Sequence, residues 1–107
     1  MRSGNPRVLV IDDEHFIRDL LQDFYSKSGY DVVIAADGKS GIAEVQHGQF
    51  DVALVDLKMP DMTGTEVLAA IQLINPALPV IIMTGYPTVD ASIEAIRLGA
   101  QDFMVKH

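Results

Sequence analysis

Three carboxylates, one hydroxyl and one ammonium each follow a short apolar run in this chain. Val8–Ile11 leads into Asp12-Asp13, Val52–Val55 into Asp56, Val80–Met83 into Thr84, and Phe103–Val105 into Lys106. If those runs are parallel strands of an open α/β sheet, their carboxyl ends share one edge, where ligands bind in such folds. Carboxylates ~4 Å apart repel by roughly 4 kcal/mol at an effective dielectric near 20, so a cluster of them calls for a cation. Mg²⁺ suits the set, because it takes a few carboxylates, keeps several waters and serves phosphoryl chemistry. Calcium would want more oxygen ligands, and zinc would want His or Cys. His15, His47 and His107 show no ligand spacing and read as surface residues. Lys106 and Thr84 add a point charge and a neutral donor, the partners that phosphoryl oxygens need beside a metal. Together these groups point to phosphoryl transfer onto Asp56.

Each residue also has a plainer reading. Asp12-Asp13 alone could sit in a solvated loop or cap a helix. Asp56 is either a metal ligand or a nucleophile that becomes an aspartyl phosphate. Lys106 could simply neutralise excess carboxylate.

The elements that position these residues alternate along the chain. Met1–Pro6 carries Ser, Gly, Asn and Pro and reads as a frayed lead-in. Arg7–Ile11 is a continuous apolar run, the pattern of a buried strand. Over Glu14–Lys27 the positions Phe16, Ile17, Leu20, Leu21, Phe24 and Tyr25 describe one helical stripe, and Gly29 stops it. Val32–Ala35 reads as a second buried strand. Asp37–His47 is a shorter helix with Ile42 and Val45 inward, closed by Gly48. After the Val52–Val55 strand and the Asp56–Pro60 loop, Thr63-Gly64-Thr65-Glu66 has capping-box spacing. It opens a helix through Val67, Leu68, Ile71 and Ile74 that Asn75-Pro76 terminates. Val80–Met83 is the fourth strand. Thr88 caps a last helix marked by Val89, Ile93, Ile96 and Ala100, Gly99 ends it, and Phe103–Val105 is the fifth strand. Strands alternating with helices mean parallel pairing through crossovers.

Composition narrows the class. A chain of 107 residues with 49% hydrophobic content fits one packed domain. The net charge of −7 argues against nucleic-acid or anionic-membrane binding, which needs a basic surface. With no cysteine there is no disulfide, thiolate metal site or cysteine nucleophile. No apolar run approaches the ~20 residues of a membrane helix, and no signal peptide is visible. The expectation is a soluble cytoplasmic domain.

Four segments then carry a family resemblance. Val-Ile-Asp-Asp-Glu at 10–14, Asp-Leu-Lys-Met-Pro at 56–60 with Gly64, Thr-Gly at 84–85, and Gly-Ala-Gln-Asp-Phe-Met-Val-Lys at 99–106 closely resemble receiver domains of bacterial two-component response regulators. The match runs from Arg7 to Lys106. It implies a flavodoxin-like, doubly wound α/β fold with a five-stranded parallel sheet in the order 2-1-3-4-5. Asp56 would be the phosphoacceptor, served by the histidine of a sensor histidine kinase or a histidine phosphotransfer protein. Asp13 resembles the direct Mg²⁺ ligand, Asp12 holds the metal mainly through water, and the Lys58 backbone carbonyl completes the protein ligands. Lys106 would contact the phosphoryl group, Thr84 would move toward it, and Phe103 would turn into the space Thr84 leaves. For Phe103 an ordinary core role stays open. Gly85 suits a small residue beside the phosphate, and Lys58 and Tyr86 flank it. The resemblance implies no enzyme in the usual sense, only a domain that catalyses its own phosphorylation and dephosphorylation. Its readout surface would be the fourth helix and fifth strand.

Two features depart from the pattern. His107 follows Lys106 where the family has Pro after a cis peptide, and a non-proline cis bond costs roughly 2.5–4 kcal/mol, so a trans bond is expected. The sequence also stops at the fifth strand, before the usual fifth helix. The expectation is a truncated single receiver domain with bared apolar strand surface, and so reduced stability or self-association. Three other readings compete. A phosphatase-like hydrolase would place an acid where Lys58 stands, and a flavin-binding module would have a Ser/Thr/Gly loop instead of Asp-Asp-Glu. The third is a receiver fold kept as an interaction module with impaired phosphorylation.

Overall fold

The computed structural model describes residues 4–106. Strands and helices alternate: β1 (Arg7–Ile11), α1 (His15–Lys27), β2 (Asp31–Ala35), α2 (Gly38–His47), β3 (Val52–Asp56), α3 (Gly64–Ile74), β4 (Val80–Thr84), α4 (Val89–Arg97) and β5 (Asp102–Val105). All four strand pairings are parallel, and the sheet order is β2-β1-β3-β4-β5. This is the doubly wound arrangement expected from the sequence. Met1–Ser3 and His107 lie outside the described residues, and with them half of the lead-in and the peptide after Lys106.

Local chemistry sets the helix ends. Thr63 and Glu66 form the expected capping box, with Thr63 Oγ1 accepting from the Glu66 amide and Glu66 Oε1 from the Thr63 amide. Thr88 caps α4 by accepting from the Ala91 amide, and Asp37 caps α2 through the Ser40 amide. Gly29 and Gly99, which follow α1 and α4, take the left-handed backbone at φ 95° and 106°.

Side chains split over the two faces of the sheet. One face packs Leu9, Ile11, Val55 and Ile82 against Val45 of α2, Val67, Leu68 and Ile71 of α3, and Ala95 of α4. The other packs Val8, Val10, Leu54 and Met83 against Leu21 and Tyr25 of α1.

Three expectations change. β2 is half-buried along most of its length, because it is an edge strand and only one neighbour covers it. The α1 stripe divides: Ile17, Leu21 and Tyr25 turn to the sheet, whereas Phe16, Leu20 and Phe24 are 68%, 50% and 59% exposed. On α4, Val89, Ile93 and Ile96 face outward, and the small Ala95 is the buried contact. Beside α1 lies an apolar groove of about 210 Å³ between that helix and the β4–β5 edge, lined by Ile17, Leu20, Leu21, Met83, Met104, Val105 and the Lys106 stem. Among the described residues no helix is long and apolar enough to cross a membrane.

Candidate functional site

Strand register brings the acidic residues together. Ile11 pairs with Val55, so Asp12 leaves β1 level with Asp56 at the end of β3. Asp56 is in turn opposite Met83, one residue before Thr84, and Thr84 is opposite Val105, one before Lys106. Backbone bonds continue past the strand ends and hold each residue in place. The Asp12 amide donates to Ala35 (3.1 Å), the Leu57 amide to Met83 (2.8 Å) and the Lys106 amide to Thr84 (2.7 Å).

The side chains converge as the register requires. One carboxylate oxygen from each of Asp12, Asp13 and Asp56 lies within 4.8 Å of the others. Asp12 and Asp56 are 0% and 4% exposed, while Asp13 is open to solvent. Lys106 Nζ donates to Asp12 Oδ2 at 3.1 Å and sits 3.4 Å from Asp56 Oδ1. A recess of about 210 Å³ opens onto this cluster, lined by Asp13, Glu14, Asp56, Lys58, Thr84, Gly85, Tyr86 and Lys106.

Crowding of acids shows in the titration of the site. Burial, the Asp12 charge and a hydrogen bond with the Asp13 carboxyl push Asp56 up to about 7, against the opposing pull of Lys106 and the Lys58 amide. Burial works against the Lys106 charge, but bonds to Glu14 and Asp12 and the charges of Asp12 and Asp56 outweigh it. They hold the ammonium above the usual lysine range. A divalent cation fits these donors: they are three hard carboxylate oxygens at two neighbouring strand ends, with no His or Cys among them, and their mutual repulsion is what such an ion offsets.

The remaining residues named from the sequence are also near. Thr84 is buried at 2% exposure, and its hydroxyl accepts from the Tyr86 amide at 3.1 Å, so it now serves its own loop. Phe103 is half-buried against the core under α4 and also lines a surface depression with Pro87, Thr88 and Val89. Lys58 lines the recess, and its amide reaches Asp56 Oδ1 at 3.4 Å. Tyr86 is 81% exposed. A Cβ on Gly85 would meet nothing within 4 Å, whereas one on Gly64 would fall 2.5 Å from the Asp56 carbonyl oxygen.

Sequence reading passed over two residues. Glu14 bonds Lys106 at 2.5 Å, which its place after Asp12-Asp13 could have signalled. Asp61 accepts from the Gly38 and Lys39 amides at 3.1 Å each, bonds that hold its carboxyl below the ordinary range. It ties the loop after β3 to the start of α2, and nothing in the local spacing announces that.

Comparisons with known proteins agree with this geometry. The family described as Response regulator receiver domain matches residues 8–107. The transcriptional regulatory protein ZraR of Escherichia coli K12 is 37% identical over 106 residues, covering 99% of this chain and 24% of that protein. The chain thus spans about a quarter of the length of the curated relatives it matches. Among solved structures, a CheY-like response regulator receiver domain protein from Methanospirillum hungatei superposes with a TM-score of 0.91 at 34% identity, covering 96% of this chain and 82% of that one. The response regulator TrrA of Thermotoga maritima, described in complex with Mg²⁺-BeF, superposes at 0.86 with 28% identity, covering 95% and 87%.

Proposed function

We propose that this chain, which belongs to the response regulator receiver domain family, accepts a phosphoryl group on Asp56 in a Mg²⁺-dependent reaction. The donor is the phosphohistidine of a sensor histidine kinase or of a histidine phosphotransfer protein. One observation carries the reading: a buried Asp56 carboxylate shares a solvent-open recess with two further carboxylates and an ammonium 3.4 Å away.

In the reaction, an Asp56 oxygen attacks phosphorus and the P–N bond breaks. Its electron pair returns to the imidazole nitrogen, leaving an acyl phosphate on Asp56. Asp12, Asp13, Asp56 and the Lys58 carbonyl would hold Mg²⁺, with Asp13 in direct contact and Asp12 acting mainly through water. Bound there, the ion supplies positive charge to the phosphoryl oxygens and offsets the carboxylate repulsion. That a structural relative is described in complex with Mg²⁺-BeF supports Mg²⁺ as the ion. Lys106 donates to a phosphoryl oxygen. The Thr84 hydroxyl gives up the Tyr86 amide and donates to a second phosphoryl oxygen, and Phe103 turns toward the space it leaves. The product gains close to two negative charges and three acceptors at one strand end, contacts that only this state makes, so they bias a two-state equilibrium. Water attack on phosphorus restores the carboxylate, and Tyr86 beside the recess slows that step. Outside its own phosphorylation and dephosphorylation the domain catalyses nothing.

The wider setting follows from membership and charge. Residues 8–107 are read as a receiver domain acting in the cytoplasm, and the acidic balance argues against nucleic-acid contact by it. The apolar groove beside α1 supports self-association when nothing else covers it.

Intact mass after incubation with Mg²⁺ and acetyl phosphate tests the reading. The wild type gains one phosphoryl group and Asp56→Asn gains none. Equal labelling of the two would overturn it.

A further inference from the structure

We propose that Glu14 is a positioning residue: its carboxylate holds the Lys106 ammonium in reserve and gives it up when a phosphoryl oxygen arrives. The proposal rests on the reading of Asp56 as phosphoacceptor.

An ammonium has three N–H donors, and here three carboxylates surround it. Lys106 Nζ donates to Glu14 Oε1 at 2.5 Å and Asp12 Oδ2 at 3.1 Å, with Asp56 Oδ1 at 3.4 Å. The N–H that faces Asp56 makes no hydrogen bond, so a phosphoryl oxygen there can take it, but the ammonium turns fully onto that oxygen only as one of its two bonded carboxylates yields. The Asp12 side chain is 0% exposed, and leaving a buried carboxylate short of a partner is costly. The Glu14 side chain is 57% exposed, so water takes up its carboxylate at once. Glu14 is therefore the partner exchanged. Its reach is fixed from behind, because its own amide donates to Asp12 Oδ1 at 2.8 Å just before α1 begins. The acid that grips Lys106 and the acid that stays with it are thus joined through one backbone bond.

The grip slows capture of the phosphoryl group, and its removal should speed it. An ion pair with one partner open to water is worth little, so Glu14→Gln should label about two- to fivefold faster with acetyl phosphate and Mg²⁺. Glu14→Asp, which keeps the charge but loses a methylene of reach, should label as fast as Glu14→Gln. In a Lys106→Met background Glu14→Gln should change nothing. A Glu14→Asp rate equal to wild type, or a Glu14→Gln gain that survives Lys106→Met, would show charge repulsion instead and overturn the proposal. The contact is also read without donor or metal, from the ¹⁵N ammonium resonance of Lys106. Glu14→Gln should shift or broaden it, and an unchanged resonance sinks the proposal. Wild type that takes no label, with the resonance responding as expected, counts against the phosphoacceptor reading while leaving the grip in place.

Discussion

The two faces of the sheet carry similar apolar strands but very different covers. Under α2, α3 and α4 a continuous core includes Leu9, Ile11, Leu68, Ile71 and Ile82, all fully buried. Under α1 the buried set is Val8, Val10, Leu54 and Met83, and an apolar groove opens between the helix and the β4–β5 edge. The phosphoacceptor proposed here stands at the rim where both faces meet. Among the described residues its scaffold is therefore braced mainly from one side.

Four experiments sharpen or break that contrast. Ile71→Ala on the closed face should destabilise by about 2–5 kcal/mol, read from denaturant unfolding. Gly64→Ala should follow at about 1–3 kcal/mol, since the added methyl meets the Asp56 carbonyl and the Leu57 backbone; an unchanged midpoint would show that the loop yields.

Third comes the rim itself. Asp56 titrates near 7 in the folded protein against 3.8 in a free carboxyl, so between those values the folded form binds a proton the unfolded form has lost. Without metal, stability should fall as pH rises from about 4 to 7. Asp56→Asn should then stabilise the metal-free protein at pH 8 by on the order of 1 kcal/mol and have little effect at pH 4. Mg²⁺ should raise the wild-type midpoint more at pH 8 than at pH 5, and equal shifts at both would contradict a carboxylate site. The smallest effect belongs to the open face. Phe24→Ser should change stability by no more than about 0.5 kcal/mol while reducing any self-association seen by light scattering. A loss there as large as at Ile71 would erase the distinction between the faces.

Much of this was legible in the sequence. Strand ends marked by Asp12, Asp56, Thr84 and Lys106 meet because register in a parallel sheet is simple once the apolar runs are known. The caps at Thr63 and Thr88 and the tight passage at Gly64 are local chemistry, so short motifs revealed them. Direction was harder. Periodicity found a stripe at Val89, Ile93 and Ile96 but could not say that Ala95 takes the inward place, because a small residue lets α4 sit close to the core. Phe16, Leu20 and Phe24 share their stripe with Ile17, Leu21 and Tyr25, and only packing decides which half is covered. The Glu14 and Asp61 contacts join residues 92 and 22–23 positions apart, beyond any local pattern.

Two glycines give the rim unequal mechanical support. At Gly64 the first turn of α3 rests backbone to backbone on the residue bearing the reactive acid, with its amide bonded to the Leu57 carbonyl at 2.7 Å. No side chain cushions that abutment, so a small displacement of one is carried into the other undamped. At Gly85 an added methyl would meet nothing within 4 Å, so the segment leading to α4 has room beside it that the passage at Gly64 lacks. The rim is thus closely fitted on the α3 side and roomy on the α4 side.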